Sequence, residues 1–336
     1  MDPKRAEEEE DNPSLRRRRR RSSVASISSV ASIASIASVA DSLIAKAKHL
    51  EAEVERAFLL FWDDLPAWRR DNSYILRGYR PSTNSFADCL ASLGYLHNET
   101  VNIYSHLLGA VAFSSGATFL YNVIAPRYEA ATSSDVLVFA CFFAGAVCCL
   151  GMSAAFHTIS SHSEVVARVG NKLDYSGIIF LIVGSYVPAL YYGFYCEPKL
   201  ITLYLGIMCI LGLGCGIVSW LDRFRTPTWR PWRTAMFIAL GTSGIVPVIH
   251  GLQKYSFQEL EDRMSLSLVL LHGLMYIFGA VLYAVRWPER SFPGKFDIWG
   301  SSHQLFHFFV LLAAVTHLYG MSKAFDYHQR VMGRQC

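Results

Sequence analysis

From Ile103 to Met321 the chain alternates long apolar runs with short polar breaks. Seven runs stand out, at about 103–125, 134–156, 174–195, 200–221, 234–252, 265–286 and 303–321. Each is close to the ~20 residues that a helix needs to cross the hydrocarbon of a bilayer. The pattern predicts an all-α membrane protein with seven transmembrane helices. Ahead of the first run, Leu43, Ala47, Leu50, Val54, Ala57 and Phe61 recur every three or four residues, with Asp41 or Ser42 placed to cap them. This predicts an amphipathic helix ending near Pro66, its stripe meant for the membrane interface, a partner helix or the protein's own cytoplasmic face. Earlier still, residues 22–40 iterate Ser, Ala and a β-branched residue, a low-complexity composition with little to bury. The expected organisation is a disordered tail over 1–40, a cytoplasmic helix and juxtamembrane segment over 41–101, a seven-helix domain over 102–322 and a short C-terminal tail over 323–336.

Composition agrees with the pattern. With 52% hydrophobic and 17% charged residues and a mean hydropathy of +0.26, the chain lies outside the range of soluble domains. No apolar stretch follows the basic run closely enough to make a signal peptide. The net charge is only +4 and no nucleic-acid partner is expected. Six consecutive arginines, from Arg16 to Arg21, could rest on an anionic leaflet, and the serines after them would suit a basic-directed kinase. The eight cysteines form no CxxC pair, which argues against a disulfide framework and against a thiolate zinc site.

Charge in the loops sets an expected orientation. Even-numbered loops hold Arg168, Lys172, Arg223, Arg225, Arg230, Arg233, Arg286, Arg290 and Lys295, while odd-numbered loops hold only Arg127, Lys199, Lys254 and Arg263. By the positive-inside rule the even loops and the N-terminus are cytoplasmic and the C-terminus is extracellular or lumenal. The sequon at Asn98, Glu99 and Thr100 would then face the cytosol and stay unmodified.

Ionisable residues in spanning helices are costly and usually have a partner or a task. His157 closes the second run, Asp174 opens the third, and His303 and His307 open the seventh, so all four fall near the cytoplasmic ends of their helices. His303 and His307 are four apart and project from one helix face, as two zinc-gripping histidines do. With His157 at the same depth they make a three-histidine set, the ligand number of a catalytic zinc site. Asp174 could accept or return a proton beside it, and Ser153, one turn before His157, could face the same cavity. Two other readings stand beside this one. Helix-end histidines are often simply hydrogen-bonded, and a haem would need histidines opposed across its plane, which a same-face pair does not offer. Glu99, Asn102 and His106 share a face of the first helix and suggest hydrogen bonds to other helices. His250, His272 and His317 read as packing or cavity residues. Tyr191, Tyr192, Trp229, Trp232, Trp287 and Trp299 read as interfacial aromatics.

The segments HNETVNIYSHLLGA (97–110), SAAFHTISSHS (153–163), KLDYSGI (172–178), GSYVPALYYGF (184–194) and SSHQLFHFFV (301–310) resemble the progestin and adipoQ receptor family, haemolysin-III-related membrane proteins, and above all its adiponectin-receptor-like branch. The resemblance covers roughly residues 65–325, including LPAWRRDNSYILRGYRP. It implies a seven-helix receptor-like fold, a cytoplasmic N-terminus and a zinc ion near the inner leaflet. It further implies His157, His303 and His307 as ligands, with Asp174 and Ser153 contacting or positioning the water on the metal. The family is associated with ceramidase-type hydrolysis, with lipid and sterol homeostasis and with hormone sensing. The leading expectation is a Zn2+-dependent hydrolase that takes a ceramide-like lipid from the bilayer and releases a fatty acid. A non-catalytic receptor with a structural zinc is the alternative. A metal transporter is third, disfavoured because the ligand set sits at one depth.

Overall fold

The computed structural model describes residues 42–44, 46, 59–124, 132–333, 335 and 336. Two compact units are distinguished, Met1–Ala57 and Phe58–Cys336. In the first unit only residues 42–44 and 46 are described, and they are helical and exposed. The low-complexity tail, the arginine run and most of the amphipathic stripe lie outside the described residues.

The second unit begins without the helix that the stripe predicted through Phe61. Leu60 and Tyr79 instead exchange backbone hydrogen bonds of 2.7 and 3.2 Å in an antiparallel bridge. The Asp64 carboxylate then accepts the Phe61 N–H at 3.0 Å, closing a tight turn over Trp62–Asp64. A bridge that uses the Leu60 backbone leaves nothing for a helical ladder.

Ten α-helices follow among the described residues: α1 (Phe86–Ala91), α2 (Thr100–Phe119), α3 (Ser133–Ile159), α4 (Glu164–Gly193), α5 (Pro198–Trp220), α6 (Arg230–Thr242), α7 (Ile245–Lys254), α8 (Phe257–Met264), α9 (Leu266–Val285) and α10 (Ser302–Arg330). Seven spans are long and apolar enough to cross a membrane: α2 with its continuation to Asn122, α3, α4, α5, α6 with α7, α9 and α10. Large apolar side chains such as Leu108, Ile210, Leu213 and Leu274 point outward from these spans. In a soluble protein such a surface would aggregate; around a bundle of this length it faces lipid. The chain is therefore an integral, multi-pass membrane protein.

Two boundaries differ most from those predicted, for one reason. α4 starts at Glu164 rather than at Asp174, and α10 runs to Arg330 rather than to Met321. Hydropathy sees only the part of a helix that lipid surrounds, whereas capping and ion pairs extend helices into water. The Ser163 hydroxyl caps α4 on Val166 N–H, and Arg168 pairs with Glu164 one turn away at 2.7 Å. At the far end of α10, Arg330 pairs with Asp326 at 2.8 Å.

A glycine-lined seam joins α3 to α4. A Cβ on Gly145 would lie 2.5 Å from the Phe180 carbonyl oxygen, one on Gly177 2.8 Å from Cys149 Cα, and one on Gly184 2.7 Å from the Cys141 carbonyl oxygen. Glycine is what lets the two backbones touch, the small-residue solution to helix packing in lipid. Around this seam Phe142, Ala146, Leu150 and Leu181 form the main core with Val310 and Ala314 of α10. Tyr192, expected at an interface, is instead buried here because its hydroxyl donates to Asp135 at 3.1 Å. Trp232, Trp287 and Trp299 are exposed, as interfacial aromatics would be.

One disulfide, Cys196–Cys336, ties the turn after α4 to the C-terminus, across 140 residues. A single bridge is not a disulfide framework, and nothing in the cysteine spacing pointed to it. A bond between residues so far apart leaves no local pattern to read. The other six cysteines are free.

Candidate metal centre

α3 and α10 bring three imidazoles to one point. The ring centroids of His157, His303 and His307 lie 4.9, 5.0 and 4.9 Å apart, and the rings meet steeply, at 69 to 85°. One nitrogen from each lies within 4.8 Å of the others, an arrangement that could hold a metal ion. His157 and His307 are fully buried and His303 partly so.

Two of the three rings already have their Nδ1 committed. The Nδ1–H of His157 donates to Glu99 Oε2 at 2.7 Å, and that oxygen also accepts from Asn102 Nδ2 at 2.6 Å. His307 Nδ1–H donates to the Asn102 carbonyl at 3.2 Å, with Ser105 Oγ at 3.3 Å. Carboxylate and carbonyl oxygens only accept, so each ring keeps a bare Nε2 lone pair. His157 Nε2 is buried with no hydrogen-bond partner. A buried nitrogen left unpaired is costly, and a cation at the centre of the triangle would satisfy it. The donor set of neutral imidazoles suits a borderline metal ion.

Glu99 opens α2, and His106 on the same helix lies flat against His307, with centroids 3.6 Å apart and planes 5° from parallel. The shared face read from the spacing of Glu99, Asn102 and His106 is therefore a hydrogen-bonding and stacking face toward α3 and α10. Its spacing was visible in the sequence; its target was not. Around it, the burial of His97 and the charge of Arg80 push the His97 imidazole down to about 3, so it stays neutral, its Nδ1 accepting the Glu99 N–H at 3.1 Å.

The α3 end that carries His157 is held from outside the bundle by Arg80, a residue that no pattern singled out. Its guanidinium donates to the His157 carbonyl at 2.6 Å, to the Thr158 carbonyl at 2.8 Å and to the Ser92 hydroxyl at 2.8 Å. These are carbonyls that a helix end leaves unpaired, and a cation there also meets the negative end of the helix dipole. The α10 end is held in the complementary way. The buried Glu289 carboxylate accepts the Ser302 N–H at 2.7 Å and Asn72 Nδ2 at 3.0 Å, one residue before His303.

Asp174 on α4 and Ser153 on α3 line the same cavity as the three histidines. All five residues singled out by spacing thus meet. The cavity, about 930 Å³, is walled largely by apolar side chains, among them Ile178, Leu181, Phe306 and Val310, and continues inward past Tyr276 to His272 and His317. His250 is engaged elsewhere, with the Tyr204 hydroxyl at 2.7 Å. Asn98 of the sequon is buried, its N–H donating to the Gly78 carbonyl at 2.9 Å, which gives a reason independent of orientation for it to escape modification.

A bundle of seven spans whose second and seventh helices share three histidines at one end defines a class of membrane protein, and comparison with known sequences places the chain in it. Residues 94–318 match the family described as Haemolysin-III related, to which this chain belongs. Within the family it is adiponectin-receptor-like. It is 46% identical over 283 residues to the ADIPOR-like receptor IZH2 of Saccharomyces cerevisiae, covering 84% of this chain and 87% of that one. It is 47% identical over 276 residues to the adiponectin receptor protein of Drosophila melanogaster, covering 82% of this chain and 61% of the fly protein. A heptahelical transmembrane protein of Arabidopsis thaliana is 33% identical over 346 residues, covering 81% of this chain and 89% of its own.

Proposed function

We propose that this protein is a zinc-dependent amidohydrolase of N-acyl sphingolipids, ceramidase-like, acting in lipid and sterol homeostasis. The reading rests on three converging imidazoles that could hold a metal ion, with a carboxylate and a hydroxyl lining the same lipid-sized, largely apolar cavity. His157, His303 and His307 would hold zinc, for which three nitrogen donors and one open position are a catalytic complement. When bound, zinc supplies Lewis acidity and an acidified water.

The chain's own residues do the rest. Asp174 takes a proton from the attacking water and gives it to the departing amine as the amide C–N bond breaks, so that fatty acid and sphingoid base leave balanced. Ser153, lining the same cavity, would donate a hydrogen bond to the water or to that carboxylate and orient it. Glu99 fixes the tautomer and tilt of the His157 ring. The apolar wall takes an acyl chain and excludes water from it.

The Cys196–Cys336 disulfide lies at the opposite ends of α4 and α10 from the histidines. Disulfides persist in oxidising compartments. Together with the loop charges, this supports a lumenal or extracellular C-terminus and a metal centre near the cytoplasmic leaflet.

A receptor in which the same cation merely ties α3 to α10 is the second reading, favoured by the receptor names of the relatives. Fatty-acid release from ceramide in lipid nanodiscs separates the two. Release that needs both zinc and Asp174 is expected, and Asp174→Ala should lose turnover while keeping most of its zinc. No release above a chelator-stripped control, with zinc bound stoichiometrically, would overturn the hydrolase and leave the clamp.

A further inference from the structure

The metal centre occupies one end of the cavity, and the hydrolase reading leaves the other end without a task. There His317 of α10 and His272 of α9 face each other with ring centroids 4.5 Å apart, and both are at least nine-tenths buried. His272 Nδ1–H donates to the Leu268 carbonyl at 3.1 Å, so its Nε2 is left as an acceptor. The Nε2 of His317 is buried with no partner. The hydroxyl of Tyr276, one turn along α9 from His272, is likewise buried and unpartnered. These three side chains line the same cavity as the metal-centre histidines. In a membrane interior, unsatisfied polar groups of this kind are expensive, and a ligand that satisfies them gains accordingly.

Two imidazole acceptors and a phenol ask for a neutral hydrogen-bond donor. A metal ion does not fit: among the described residues the only set of three converging donors is the one at the other end of the cavity. Position narrows the ligand further. His307, Val310, Ala314 and His317 are all buried on one face of α10. Ten residues of helix separate His307 from His317, a rise of about 15 Å. At ~1.25 Å of advance per carbon–carbon bond along a zigzag chain, that is the reach of roughly a dozen methylenes.

We propose that His272, His317 and Tyr276 form a second polar subsite, which binds a hydroxyl group carried in mid-chain by an acyl lipid whose carbonyl lies at the metal centre. The subsite makes the cavity selective for hydroxylated over plain chains. It rests on the reading of the cavity as a lipid site, but not on turnover.

The test is binding to the zinc-loaded, full-length protein in nanodiscs, read by displacement of a fluorescent fatty acid, with 12-hydroxystearate and stearate compared. The parent should prefer the hydroxylated acid about five- to ten-fold, the worth of one or two hydrogen bonds. The preference should fall for chains hydroxylated at carbon 2 or 6. His317→Leu with His272→Leu should abolish the preference while leaving stearate affinity within two-fold, which also reports folding. His317→Gln, which keeps an acceptor, should retain part of it. Equal binding of the two acids by the parent would overturn the subsite and leave the lipid site standing. Binding of neither would overturn the lipid site and the subsite with it.

Discussion

Glu99 carries more of the candidate site than its position before the first span suggests. It is not one of the three converging imidazoles, yet its Oε2 fixes which nitrogen of His157 stays bare. Glu99→Gln keeps the shape and loses the charge, so zinc affinity should fall about 10- to 100-fold, the usual cost of losing such a partner. A competition titration against a chelator measures it; unchanged affinity would mean that His157 is oriented by packing alone. His97, two residues earlier, makes a different prediction. Its imidazole is held neutral in the fold down to about pH 3, whereas in the unfolded chain it protonates below about 6.5. The unfolded state therefore binds the extra proton, and stability present above pH 6.5 drains away as pH falls, by up to ~1.4 kcal/mol per unit for one histidine. Thermal unfolding at pH 7 and pH 5 should show a steeper loss in the parent than in His97→Gln, and parallel loss in both would remove His97 from the account. That Glu99 would bond to another helix was legible beforehand; its target, and the role of His97, were not. Spacing places side chains on a face of their own helix and is silent about what faces them.

Among the elements, α3 and α4 decide the geometry, because their glycine seam sets how near Ser153 and His157 come to Asp174. Gly177→Val would force a side chain into the space of Cys149 Cα. Overpacking of this kind costs roughly 1–3 kcal/mol, and here the backbone of α3 would have to move. The variant should unfold at a lower temperature and bind zinc more weakly, whereas Gly206→Val on α5, where the added Cβ meets nothing within 4 Å, should match the parent in both. Equal zinc affinity in the Gly177 variant would show that the seam does not set the site. The apolar runs found the seven spans, and their ends went astray only where capping and ion pairs carry helices into water. The stretch from Leu59 to Asn98 was the hardest to read, since it is held by isolated bonds such as those of Arg80 to the α3 carbonyls.

For the whole molecule, the disulfide makes the proposed orientation testable. Cys336→Ser should leave Cys196 open to a membrane-impermeant maleimide that reaches the extracellular or lumenal side, while Cys196 of the parent stays unlabelled there until reduced. Labelling from the cytosolic side, with the membrane that holds the protein still sealed, would reverse the topology. What the sequence determined by itself was whatever depends on one helix at a time: seven spans from hydropathy, the same-face pair His303 and His307 from the 3.6-residue turn, and His157 and Asp174 from the cost of burying polar groups in lipid. Only the tertiary structure decided what depends on several helices together. It decided that the three imidazoles form a near-equilateral triangle, that Glu99 and Arg80 hold His157 from two sides, that the cavity runs on to His272 and His317, and that Cys196 meets Cys336. The physical reason is that periodicity encodes the direction of a side chain from its own helix axis, whereas the neighbour it finds there is set by how all the helices pack.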